Sequence, residues 1–438
     1  MHESSETSAS FANQQTKLRE PSLPHRQSLV YITVIWPFQP GSEVFFAPEL
    51  MQLRNAEIEL RVLPRDVPRS RRIVDAPEDL SQCVHGEPPF SLQVLWWAWL
   101  ESMHNPRALL GTLSIIFSSI NLNLIRNLAV LPKALWLARF ARKANVTHLH
   151  AQWGGTTATM AMVASCLTGI PWSVTYHRND LERGNLLEFK LRHASFVRFI
   201  SEAGLAIARE KTGVLHNQHL HVLHLGIEVP PTLDSNHPNR PIPVLCCAGS
   251  LIPRKGHRVL LDALADLKSR NHDFRLRIVG DGVLRSALES KCRELGLSDR
   301  VDFLGSVTRA ELISTYAKNE IDVFVLASFD EGIPVSAMEA CSYGIPCIVT
   351  DVGGVKELLR DGAGILVPPG DPVALANAIE SLLLSSELRE KLGTEARTRI
   401  ERSFDARKTT AAFLELVSSA TNRSTSYGLS RLHENSSY

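Results

Sequence analysis

Two glutamates stand where a carboxylate is hardest to accommodate. Glu331 and Glu339 lie eight positions apart in SFDEGIPVSAMEACSYGIP (328–346), around a Gly-X-Pro and among small, apolar neighbours. The run from Pro334 to Gly344 reads as a short helix, with proline at its first position and glycine just past its end. Apart from Glu339 that helix carries no charge, so its surroundings are expected to be buried. An unpaired buried carboxylate costs several kcal/mol or titrates upward. Taken singly, Glu331 reads as an acid near a positive helix end and Glu339 as a solvent-facing residue; the uncharged setting argues against both. Neutral hydroxyls of a sugar or a ribose would satisfy both groups through charge-assisted hydrogen bonds.

The neighbouring strand-to-helix junctions point to a partner for those hydroxyls. GSLIPRKG places Arg254 beside Lys255, VGDG supplies the turn of Gly280 and Gly282, and DVGGVKELL (351–359) opens another helix. Gly332 and the amides after it begin a helix, whose free N–H groups and partial positive charge suit an anion. Each junction alone is an ordinary turn. Four of them on one sheet, with two cations, fit a ligand bearing phosphate.

These junctions require an α/β scaffold. Short apolar runs alternate with amphipathic stretches, the pattern of parallel sheets covered by helices. Strands are expected at SLVYITVIW, IELRVLP, VTHLHAQ, PWSVTYH, FVRFIS and LHVLHLG in the first half. In the second they fall at PVLCCAGSL, FRLRIVGDG, VDFLG, IDVFVLAS, IPCIVTD and GILVPP. The second half reads as a doubly wound sheet of about six strands, in which ligands bind beyond the carboxyl ends. Residues 1–27 and 421–438 read as polar, disordered tails. Between them the chain divides into a first domain (28–230), a linker (231–241), a second domain (242–400) and a terminal helix (401–420) that crosses back to the first.

Composition sets the outer limits. At 438 residues two domains are the default. A formal charge of +1 gives no push toward nucleic acid. Seven scattered cysteines without a C-x-x-C pair suit reduced thiols in the cytoplasm. The N-terminal segment lacks the pattern of a secretory signal, and no apolar run is long enough to span a bilayer. Between 101 and 150, however, six bases (Arg107, Arg126, Lys133, Arg139, Arg142, Lys143) face one acid, Glu101, beside Trp, Phe and Leu. Region 89–143 is expected to dock on the inner face of an anionic membrane; the alternative is a core helix with a solvated basic face.

The stretch DEGIPVSAMEACSYGIPCIVTDVGGVKELL closely resembles the signature of family 4 retaining glycosyltransferases. GSLIPRKGH, LRIVGDG, VDFLGSV and GILVPPGD follow in that family's order. FQPGSEVFFAPEL, LHAQWG, VTYHRNDL and FISEAGL extend the likeness toward its exopolysaccharide, colanic-acid-type branch. The resemblance implies a GT-B fold, two Rossmann-like doubly wound domains facing across a cleft. It implies a nucleoside-diphosphate sugar as donor and a saccharide or polyprenyl-linked saccharide as acceptor.

Residue by residue, it assigns the donor sugar to Glu331 with the amides of Gly332, Ile333 and Val335, since Pro334 donates nothing. It assigns the ribose to Glu339, the leaving diphosphate to Arg254 and Lys255, and donor contacts to Gly280, Gly282 and Val307. His177, with Asp180 a weaker candidate, would approach the sugar from the other domain. Gly41 and Ser42 would face sugar and acceptor. The chain departs from the family at Ser250, where arginine is common, and in PGSE, a reduced glycine-rich loop. No D-x-D motif is present, so no cofactor and no metal are expected; fixed cations and helix dipoles would stabilise the leaving group. Two other readings share the architecture: a sugar-nucleotide epimerase and a non-catalytic scaffold that binds a sugar nucleotide.

Overall fold

A computed structural model describes residues 27–434, apart from 40–42, 57, 75, 120, 215–218 and 234–239. Two sheets of six parallel strands organise it. The first contains β1 (Ser28–Thr33), β2 (Glu59–Pro64), β3 (His148–Ala151), β4 (Trp172–Tyr176), β5 (Phe196–Phe199) and β6 (Leu220–Val222), in the order β2-β1-β3-β4-β5-β6. The second contains β7 (Val244–Ala248), β8 (Arg275–Val279), β9 (Val301–Gly305), β10 (Val323–Leu326), β11 (Cys347–Thr350) and β12 (Ile365–Val367), in the order β12-β11-β10-β7-β8-β9. All twelve segments read as strands in the sequence are strands. The central ones are apolar and buried throughout because helices cover both faces of a parallel sheet; β7, β10 and β11 have no exposed residue.

The first sheet departs from that rule. Tyr31, His148, His150, Ser173, Thr175 and Arg198 are all buried, and they form a polar layer. The histidine rings are bonded to hydroxyls: His148 Nε2 lies 2.7 Å from Ser173 Oγ, and His150 reaches Ser173 at 2.8 Å and Thr175 at 3.0 Å. Arg198 donates to Glu49 at 2.6 Å and to the carbonyls of Leu223 and His224. The C-terminal helix Ala406–Glu434 covers this layer, with Phe413 edge-on to His150 at 4.7 Å and against Phe196 at 5.9 Å.

That helix ties the ends of the chain together. It packs on Ala47–Asn55 and places Phe413, Val417 and Ala420 in the first domain's core. The two segments that pass between domains bond each other, Ile227 N–H to Phe404 O at 2.8 Å and Ala406 N–H to Ile227 O at 2.9 Å. The helix begins at Ala406 and runs on to Glu434, so 421–434, read as tail, is helical. Residues 1–26 and 435–438 and most of the linker lie outside the described residues.

Carboxylate-to-amide bonds also join the domains. Glu357 of the second domain accepts from the backbone N–H groups of Glu202 (2.8 Å) and Ala203 (3.1 Å), the first turn of helix Glu202–Thr212, and pairs with His224 at 3.1 Å. Arg178 reaches Asp330 at 2.9 Å.

Region 89–143 forms three helices, Leu92–His104, Pro106–Phe117 and Asn121–Lys143. Among the described residues no helix is long and apolar enough to cross a membrane. All seven cysteines are free.

Phe413 is completely buried, so Phe413→Ala is expected to cost about 3–5 kcal/mol. A denaturant midpoint equal to that of the wild type would show that the C-terminal helix is not part of the folded unit.

Candidate active site

The cleft between the two sheets, about 640 Å³, is lined by both domains. On the second-domain side, the chain leaves β7, makes a tight turn at Pro253–Lys255 and enters helix His257–Ser269 through Gly256. Gly256 has φ +66, and a Cβ there would lie 1.8 Å from the Ala327 carbonyl oxygen. Only glycine lets this turn press against the end of β10, and that contact carries Lys255 to Glu331.

Glu331 and Glu339 are both buried, as their apolar setting predicts. Each also has a protein partner that the sequence reading did not foresee. Lys255 Nζ lies 2.5 Å from Glu331 Oε1, which also accepts from Ser328 Oγ at 2.8 Å. Arg309 Nε donates to Glu339 Oε1 at 2.5 Å. In each glutamate one oxygen is held by the protein; among the described residues no donor is recorded on either Oε2, while both side chains line the cleft. Burial raises the Glu339 carboxyl above its ordinary range, with Arg309 pulling the other way.

The intervening helix is Val335–Ser342, and Pro334 is its N-cap rather than its first helical residue, because its backbone is extended (φ −73, ψ 115). No side chain caps this end, so first-turn amides remain open to a ligand. Gly332, Ile333 and Val335 line the cleft there, with Arg254, Gly280 and Val307. Gly282 does not. A Cβ on it would lie 2.6 Å from the Leu251 carbonyl oxygen, so this glycine packs one loop on the next. Ser250 lines the cleft with its small side chain. Gly41 and Ser42 lie outside the described residues.

Across the cleft, His177 stacks on Trp153 at 4.1 Å and meets Phe45 edge-on at 5.6 Å. Its Nε2 lies 3.3 Å from the Gln152 amide nitrogen. From there a buried chain runs through the Tyr31 hydroxyl to Glu49 and Arg198. Burial, with the Arg198 cation adding to it, holds His177 down at about 3. The ring is therefore neutral near pH 7 and serves as a hydrogen-bonding group rather than a cation.

Asp180 is structural: it accepts the His177 N–H at 3.2 Å and does not line the cleft. Burial pushes its carboxyl up to about 6, against hydrogen bonds from the Gly154 and His177 amides. Nearby Lys190, fully buried, bonds the carbonyls of Gly154 and Gly155 at 2.9 and 2.8 Å. Together they fix the loop that carries Trp153.

The loop after β1 is pinned by Glu43. Its carboxylate accepts from the amides of Val34, Ile35 and Trp36 at 3.1, 2.8 and 2.9 Å, and from the Trp153 indole. Glu43, Trp153, Phe45, Arg178 and Arg309 were not singled out in the sequence. Arg309 lies thirty residues before its partner, and no local pattern marks it. The lining holds four cations (Arg178, Arg254, Lys255, Arg309). They exceed the carboxylates Glu331 and Glu339 even when Asp330, paired with Arg178 and Arg254, is added.

Two facing doubly wound domains with a cationic cleft between them make the GT-B architecture. Solved structures agree in fold: sucrose-phosphate synthase of Thermosynechococcus elongatus superposes with a TM-score of 0.68 at 19% identity, over 89% of this chain and 98% of that one. Anabaena HepE, in complex with UDP and glucose, gives 0.64 at 17%, over 90% and 100%. Residues 234–399, the span of the second domain, match the model of the glycosyl transferases group 1 family. Alpha-D-kanosaminyltransferase of Streptomyces kanamyceticus is 34% identical over 155 residues, 35% of this chain and 40% of its own length. The lipopolysaccharide core biosynthesis glycosyltransferase LpsE of Rhizobium meliloti is 32% identical over 180 residues, 40% of this chain and 50% of its own. The chain thus spans half or less of the length of these relatives.

The two imidazoles His148 and His177 are each held at about 3 by burial. A pKa depressed in the fold gives stability that is complete above the unfolded value near 6.5 and lost as pH falls toward 3. Each such group adds a slope of about 1.4 kcal/mol per pH unit in that window. Urea denaturation at pH 6.5 and 5 is expected to show a smaller loss for His148→Asn than for wild type, by about 2 kcal/mol. Equal losses would mean that His148 titrates normally in the fold.

Proposed function

We propose that the chain is a glycosyltransferase that moves a sugar from a nucleoside-diphosphate donor to a saccharide or lipid-linked saccharide in polysaccharide or glycolipid synthesis. The observation that carries this reading is the half-satisfied state of Glu331 and Glu339: each has one oxygen engaged by a cation and the other available beside an uncapped helix. Hydroxyl groups complete such carboxylates, and phosphate oxygens complete the cations. Glu339 takes the ribose, Glu331 the donor sugar, and Lys255, Arg254 and the first amides of Val335–Ser342 the diphosphate. Neutral His177, braced by Trp153 and Gln152, contacts the sugar from the opposite domain. HepE, matched in fold, was solved with UDP and with UDP-glucose, which supports a sugar nucleotide as donor.

In the reaction, the bond from the anomeric carbon to the β-phosphate oxygen breaks and a bond to the acceptor oxygen forms. The acceptor proton passes to the departing phosphate. We assign retention, with attack from the leaving-group face, and transfer without a metal ion, because fixed cations occupy the place of the leaving charge. The exposed side chains of Trp96, Trp99, Phe117 and Ile125, with Arg107 and Arg126 nearby in the chain, fit contact with an anionic membrane surface at the cytoplasmic face.

Glu331→Ala is expected to lower acceptor-dependent release of nucleoside diphosphate by at least 100-fold, about 2.7 kcal/mol of transition-state stabilisation, while its circular dichroism matches wild type. Turnover at the wild-type rate would remove Glu331 from the site. Formation of a new sugar nucleotide without acceptor would instead indicate epimerisation, and binding without turnover a scaffold. Excess EDTA is expected to leave turnover unchanged; complete loss, restored by a divalent ion, would contradict transfer without metal.

A further inference from the structure

A second cavity of about 290 Å³ opens on the first domain, lined by Arg65, Asp66, Phe90, Arg126, Lys133 and Thr156 among others. Its chemistry is unlike an ordinary surface groove. Lys133 is only 1% exposed, and its ammonium bonds a backbone carbonyl, that of Glu87, rather than a carboxylate. The carboxylates nearby are engaged elsewhere, Glu87 with Arg71 and Asp66 with Arg65. Burial holds Lys133 down at about 7, with Glu87 and Asp66 favouring its charge and Arg71 opposing it. An anion in the cavity would complete this ammonium.

Arg126 lies seven residues earlier on the same helix, two turns away on the same face. Among the described residues no carboxylate is recorded as its partner. Arg65 donates to Thr156 Oγ1 at 2.5 Å, and Thr156 begins the thirteen-residue helix Thr156–Thr168, whose end has no side-chain cap. Its dipole adds to the positive field.

Phe90, on the lining, is 64% exposed. On the helix that carries Arg126, the adjacent Ile125 and Leu122, one turn before Arg126, are exposed as well. The position relative to the cleft matters as well. Trp153 lines the donor cleft and Thr156 this cavity. Three residues of chain reach at most about 11 Å, so the cavity lies next to the cleft.

We propose that this cavity is the subsite for the phosphoryl group of a lipid-carried acceptor, held by Arg126, Lys133 and Arg65, with the hydrocarbon along Phe90, Leu122 and Ile125. The assignment rests on the transferase reading and specifies its acceptor. Calorimetric titration of the full chain with farnesyl phosphate, farnesol and inorganic phosphate tests it. Farnesyl phosphate is expected to bind saturably, and the other two at least tenfold more weakly. Arg126→Ala, at an exposed position, and Lys133→Met, which keeps the buried stem, are each expected to weaken farnesyl phosphate binding at least tenfold. Wild-type affinity in both variants would place the lipid elsewhere and overturn the proposal. Inorganic phosphate binding as tightly as the lipid would overturn the lipid assignment. UDP titration of the same samples separates the two readings. Farnesyl phosphate bound without UDP would sink the donor assignment alone, and UDP bound without farnesyl phosphate would sink this subsite alone.

Discussion

A site divided between two domains exists only while the domains face each other, and here one carboxylate sets much of that orientation. Glu357 belongs to the second domain, yet it caps the first turn of Glu202–Thr212 in the other and pairs with His224. A carboxylate at a helix N-terminus meets both unsatisfied N–H groups and the positive end of the dipole. Burial opposes ionisation of Glu357, but its bonds to His224 and to the Glu202 and Ala203 amides win, and its carboxyl lies below the ordinary range. On the other side of the carboxylate's own backbone, Arg399 donates twice to the Glu357 carbonyl. The latch is therefore anchored to helix Ser386–Ser403, which leads directly into the C-terminal helix on the first domain. Covalent crossing and carboxylate latch pull the same pair of surfaces together.

The polar layer of the first sheet has a related purpose. A parallel sheet normally buries apolar side chains on both faces, and buried polar groups are tolerated only when satisfied. Arg198 meets that condition with bonds to Glu49 and to two carbonyls of the chain just before the domain crossing. The same network reaches Tyr31, Gln152 and finally His177. One set of buried bonds thus fixes both the exit of the chain from the first domain and the imidazole that faces the cleft.

Strands and the glutamate-bearing helix were legible in the sequence because they depend on local pattern: continuous apolar runs, proline before a helix, glycine after it. Glu331 and Glu339 stand out as carboxylates among small, apolar neighbours. Lys255 gains meaning only from the neighbouring junctions and the family resemblance, and His177 only from that resemblance, since an Arg-Lys pair in a loop or a lone histidine is otherwise unremarkable. What stayed hidden was pairing at a distance. Nothing near Arg309 announces Glu339, and PGSE reads as a shortened loop until the Glu43 carboxylate is seen gathering three amides and an indole. Gly282 looked like a ligand turn because a glycine required by a ligand and one required by a packed loop are identical in sequence. Only the Leu251 carbonyl beneath it distinguishes them.

Two acids beside a diphosphate would ordinarily repel it, and the pairing resolves the conflict without removing the acids. Lysine carries three donors and arginine five. Lys255 therefore holds Glu331 with one N–H and has two more, and Arg309 holds Glu339 through Nε with its terminal amines in reserve; in the proposed complex these spare donors would meet the phosphate oxygens. The ion pairs give both buried carboxylates a partner and orient the cations before any ligand arrives. Preorganisation of this kind lowers the cost of reorganising dipoles when leaving-group charge develops. A lysine and an arginine that were merely exposed would offer the same charge but no fixed direction; Glu331 and Glu339 supply that direction while each leaves one oxygen without a recorded donor among the described residues.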